Sequence, residues 1–128
     1  MGRQSIEIEG FSHGGLPIPA ASRVGPLLMT GGIHGLDLEG GDHGDASRQA
    51  TRMFENLRRI LVAGGGGFDS VVHLTVYVRS QDHRAALNDE WVKAFPDQHA
   101  RPARHTLVNE HLPTPMLVQC SATAYVAD

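Results

Sequence analysis

A chain of 128 residues, 41% hydrophobic and 20% charged, is long enough for one domain with a proper core, and we read residues 1–128 as a single unit. Its net charge of −3, with no basic run, disfavours nucleic acid as a partner. The absence of an apolar stretch near the ~20 residues that span a bilayer, of an apolar N-terminal signal core, and of any cysteine besides Cys120 predicts a cytoplasmic protein with no membrane association and no internal disulfide.

In chain order, Ile6 and Ile8 flank Glu7, the alternation of a short strand. Residues 11–22 are rich in Gly, Pro and Ser and predict an irregular connector. The apolar run at 23–30 predicts a strand, with Pro26 limiting its pairing and Gly31-Gly32 ending it. Residues 34–44 read as a long glycine-rich loop carrying Asp37, Glu39 and Asp42. From 45 to 63, Ala46, Ala50, Met53, Phe54, Leu57, Ile60 and Leu61 recur at spacings of three and four, the apolar face of a helix. Asp45 suits its N-cap, and the glycines at 64–67 stop it.

A strand is expected at 70–79, with Val72, Leu74, Val76 and Val78 on one face and Val71, His73, Thr75 and Tyr77 on the other. Residues 83–95 predict a second helix with Leu87, Trp91, Ala94 and Phe95 inward, ended by Pro96. At 116–125, Met116, Val118, Cys120, Ala122 and Ala124 alternate with Leu117, Gln119, Ser121, Thr123 and Tyr125. The first set is a core face; the second, half polar, suits solvent or another subunit. The order predicts an α+β domain, one mixed sheet with two helices packed on one face.

The chemistry concentrates at Arg101-Pro102-Ala103-Arg104-His105-Thr106. Pro102 favours an extended backbone and cannot donate to a sheet ladder, so Arg104 falls where a loop enters a strand. A fork-shaped, permanently charged guanidinium fixed there can grip a carboxylate or phosphate through two hydrogen bonds. His105 should point away from it by strand alternation.

Other constellations are weaker. His34, Asp37, Asp42 and His43 share a loop, but their spacing matches no compact metal motif, and no metal is expected. His13, His83, His99 and His111 read as solvated surface, and His73 as a packing residue on the second strand face. Glycines 64–67 follow a helix, whereas a phosphate loop precedes one. Cys120 reads as an inert buried thiol, and Trp91 with Phe95 as core.

Several of these residues together resemble the RidA family, also called YjgF or L-PSP endoribonuclease-like. They are Val24-Gly25 with Thr30-Gly31-Gly32, Gln49 with Glu55-Asn56-Leu57, Val71 and Val72 on to Val78, Asn88, and Pro102-Ala103-Arg104. The resemblance runs over about residues 16–126. It implies a chorismate-mutase-like fold and a homotrimer in which three sheets line a central β-barrel, with clefts between subunits. Such clefts bind small carboxylates, and many members hydrolyse imines and enamines such as 2-aminoacrylate to a 2-oxo acid and ammonia, without a cofactor.

By that resemblance Arg104 grips the substrate carboxylate, the Gly32 backbone N–H assists, and Asn88 and Thr106 lie beside the cleft. Gln119 stands where the family glutamate positions or activates water, and Ile18 where a tyrosine covers the cleft. Gly31 replaces the usual serine, and Ile33-His34-Gly35 the usual Gln-Ile-Pro. His34 is then a candidate for the proton-handling role. The leading expectation is a small-molecule imine or enamine deaminase. The alternative is a trimeric binder of small carboxylates without turnover, which Gln119 and Ile18 favour. Endoribonuclease activity is the least expected, because the chain is acidic.

Overall fold

The computed structural model describes residues 2–127. Seven strands form one mixed sheet: β1 (Gln4–Ile6), β2 (Ala21–Val24), β3 (Leu27–Thr30), β4 (Ile33–His34), β5 (Val71–Val78), β6 (Ala103–Val108) and β7 (Val118–Tyr125). Two helices, α1 (Ala46–Ala63) and α2 (Arg84–Ala94), supply the second layer. The sheet order is β1-β2-β3-β7-β5-β6, with β4 pairing β7 alongside β3. Only β5 and β6 are parallel, and α2 makes the crossover between them.

α1 forms as its periodicity predicts. The Asp45 side chain accepts the Arg48 N–H at 3.0 Å, and the buried stripe runs from Ala46 to Leu61. One polar residue shares that stripe. Gln49 is buried, donates to the carbonyls of Gly44 and Pro115, and accepts the Leu117 N–H. It thereby ties the start of α1 to the segment that enters β7 and satisfies both its donor and acceptor ends. β7 is as expected: Val118, Cys120, Ala122 and Ala124 are buried against the helices, while Gln119, Ser121 and Thr123 stay partly open on the far face.

Two expectations are corrected. The single strand at 23–30 is a hairpin: β2 and β3 pair antiparallel, with Val24 opposite Leu27. Gly25 has φ +56° and Pro26 follows, the pattern of a tight two-residue turn with glycine at its first central position. At the start of β5 the register against β7 shifts between Val71 and His73. This bulge turns Val71 inward and leaves Val72 exposed, reversing the faces expected for that pair; from Leu74 onward the expected alternation holds.

Candidate functional site

Arg104 lies on β6, at the edge of the sheet, opposite Leu74 of β5. Leu74 is core, so Arg104 faces the helix layer. There its Nη2–H donates to the Asn88 Oδ1 at 2.8 Å. The guanidinium carbon sits 4.8 Å from the centre of the Trp91 ring, a cation–π contact. Trp91 packs on Phe95 with ring centres 4.7 Å apart, so the platform under the charge is itself braced by the core. Sequence reasoning placed Trp91 in the core and missed this second contact; its position three residues after Asn88 was the available signal.

The remaining amino group of Arg104 is the unusual one. Its Nη1 is buried and has no hydrogen-bond partner in the chain. Burial, and then the nearby charge of Arg84, press the Arg104 pKa below its ordinary value. A guanidinium with one face stacked, one nitrogen tethered and one nitrogen unspent is poised for an anion. Thr106, two residues on, shares this face of β6, and its carbonyl accepts from Arg84 at 3.5 Å. His105 is exposed and alternates to the other face, as expected.

A second group of residues gathers where β3 gives way to β4. The Gly31 N–H donates to Ala20, and its carbonyl accepts the Thr30 hydroxyl at 2.8 Å. That hydroxyl in turn accepts the Ala122 N–H of β7 at 2.9 Å. Fixing the Gly31 carbonyl fixes the direction of the Gly32 N–H, because the two belong to one planar peptide. A Cβ on Gly32 would stand 2.9 Å from the Gln119 side chain, so glycine here lets the amide close over the turn. Ile18 is exposed, and its carbonyl lies 3.3 Å from His13 Nδ1.

The histidines depart from expectation. His13 is only partly exposed: its Nε2 lies 2.8 Å from the Gly32 carbonyl, and its ring meets Phe11 edge-on. No periodicity in the 11–22 connector could reveal that. His34 does not reach a rim. It is 5% exposed, its Nδ1 accepts the Leu36 N–H, and its Nε2 donates to the Ser12 carbonyl. Burial drives its pKa down, against the opposing Ser12 hydrogen bond and helped by His13 and His43. With both nitrogens committed inside the chain, the ring is a neutral brace between the connector and the loop rather than a group at the rim.

Asp37, Asp42 and His43 likewise accept backbone N–H groups of their own loop. Among the described residues no set of three or more His, Cys, Asp or Glu is arranged to hold a metal. Cys120 is fully buried, and its thiol pKa is pushed up to about 12, so it does not ionise near neutral pH.

The two groups stand apart within one chain. Arg104 aligns through Leu74 with Ala122, whereas Gln119 aligns through Tyr77 with Leu107. They are two strands apart, offset by about 10 Å along the strands, and they face opposite sides of the sheet.

The Endoribonuclease L-PSP family model matches residues 18–126. The chain belongs to this family, the RidA/YjgF family. A RutC family protein of Pyrococcus abyssi is 31% identical over 111 residues, spanning 85% of this chain and 86% of the relative. A protein of Acinetobacter baylyi named 3-aminoacrylate deaminase RutC is 27% identical, over 98% of this chain and 100% of its own length. Among solved structures, RidA from an Antarctic Psychrobacter superposes with a TM-score of 0.85 at 26% identity, covering 96% of this chain and 99% of that one. The RidA-type fold, two helices on one mixed sheet, is therefore shared. No helix of the described residues is long and apolar enough to cross a membrane.

Proposed function

We propose that this RidA-family chain is a cytoplasmic deaminase of small carboxylate-bearing imines and enamines, acting in clefts between the subunits of a homotrimer. The observation that carries the reading is the buried, unpartnered Nη1 of Arg104 on its Asn88 and Trp91 supports. A substrate carboxylate would supply its missing acceptor, in a charge-assisted pair that also orients the reacting carbon. The Gly32 N–H is the second donor, with Thr106 beside the anchor. Because Arg104 and Gly32 with Gln119 lie on opposite sides of one sheet, a single small molecule meets both only where two chains adjoin. The exposed apolar residues Leu27, Met29 and Tyr125 suit such a junction.

The chemistry requires little. A protonated imine carbon is already electrophilic. Water adds to it, the carbinolamine moves a proton to its nitrogen, and the C–N bond breaks to give a 2-oxo acid and ammonium. Gln119 can hold the water by hydrogen bonds but cannot take its proton as a carboxylate would. That neutral amide favours a second reading, a trimeric carboxylate binder without turnover. The relative named 3-aminoacrylate deaminase supports the catalytic one.

Calorimetry with 2-oxobutyrate, the product-like ligand, tests the anchor common to both. Native protein binds, and Arg104→Ala weakens binding by about 1.5–3 kcal/mol, the range for a hydrogen bond to a charged group. Unchanged affinity in Arg104→Ala would remove the site.

A further inference from the structure

The anchor has a neighbour of its own sign. Arg84 opens α2, donates through Nη2 to the Thr106 carbonyl at 3.5 Å, and donates through Nε to the Gln81 side-chain oxygen. Asn88, one turn later, tethers Arg104, and Trp91, three residues further, underlies it. Arg84, Asn88 and Trp91 thus form one stripe of α2 laid over Arg104 and Thr106, alternate residues of β6. Among the described residues neither arginine forms an ion pair. Two permanent charges of one sign on a partly desolvated surface repel; burial first, and then this repulsion, lowers the Arg104 pKa. One monocarboxylate neutralises only half of this charge.

We propose that Arg84 reads a second acidic group, so that the site prefers small dicarboxylates, namely 2-oxo dicarboxylic acids and the imines that yield them. The inference rests on the reading of Arg104 as a carboxylate anchor. The two guanidiniums are tethered separately, one at Thr106 and one at Asn88. The tethers lie on different elements, Thr106 on β6 and Asn88 on α2, so the two forks stay apart, on the scale of two carboxylates on a short carbon chain. A single phosphate would need both forks to leave their tethers and converge.

The test is calorimetry on the native chain with 2-oxobutyrate, 2-oxoglutarate and inorganic phosphate. 2-Oxoglutarate should bind about tenfold more tightly than 2-oxobutyrate, the least that one added charge-assisted contact provides. Arg84→Gln should bring the ratio of the two dissociation constants to about one, and Arg84→Lys should keep part of it, since the charge remains while the fork is lost. A native ratio near one, a ratio that survives Arg84→Gln, or phosphate binding more tightly than either oxo acid would overturn the assignment. If 2-oxobutyrate binds through Arg104 and no preference exists, only the role of Arg84 falls. If neither oxo acid binds native protein, the anchor reading falls and takes this inference with it.

Discussion

Gln119 closes over Gly32 with an amide where the family resemblance implies a carboxylate, and the difference is one proton acceptor. If water activation limits turnover, Gln119→Glu should raise pyruvate release from 2-aminoacrylate, generated from serine by a dehydratase, by about 10²–10⁴-fold. A native enzyme that is already fast, and a variant no faster, would show that this position is not the missing base. If both merely match free solution while oxo acids still bind, the binder reading prevails. His34 makes a different prediction. Its pKa is lowered by burial, so the unfolded chain takes up a proton below its ordinary value of 6.5 while the folded chain resists it. Its contribution to stability is complete above pH 6.5 and is lost as pH falls through the range beneath. Urea melts at pH 7.5 and 5.5 should show a smaller pH loss for His34→Gln than for native protein; equal losses would assign the acid sensitivity elsewhere.

At the scale of elements, α1 is held against the start of the long loop by backbone contact. A Cβ at Gly35 would stand 1.8 Å from the Gln49 carbonyl oxygen, and a main-chain atom inside a helix cannot step aside. Gly35→Ala should therefore cost about 3 kcal/mol, the upper part of the usual range for overpacking, measured as a fall in denaturation midpoint at unchanged m-value. A loss below about 0.5 kcal/mol would mean that the helix and loop separate freely. α1 and β7 were legible in the sequence because each keeps one period over many residues and meets one core. The β2–β3 hairpin was missed although Gly25-Pro26 is a turn dipeptide, because Val24, Leu27 and Leu28 carry the apolar run on both sides of it. The bulge in β5 left no mark, since both Val71 and Val72 satisfy either face. The position of Arg104 at the start of β6 was legible from Pro102, but its contacts with Asn88 and Trp91 were not. The commitments of His13 and His34 were not, because their partners lie in a connector without periodicity.

At the scale of the molecule, the far face of the sheet carries Leu27, Met29 and Tyr125, each at least half exposed, with Leu27 directly opposite Tyr125. Covering these residues against copies of the same chain would remove apolar surface that a lone domain leaves in water. Equilibrium sedimentation at micromolar concentration should return three times the chain mass. A stable monomer would dissolve the proposed cleft, since no single chain brings Arg104 and Gln119 around one small molecule. That separation of the two half-sites has an outcome for heredity as well as chemistry. In the proposed assembly a chain crippled at Arg104 still lends a sound glycine turn to its neighbour, and a chain crippled at the turn still lends a sound arginine. Two defective alleles expressed together would rebuild about a quarter of the clefts in trans, whereas either allele alone would rebuild none.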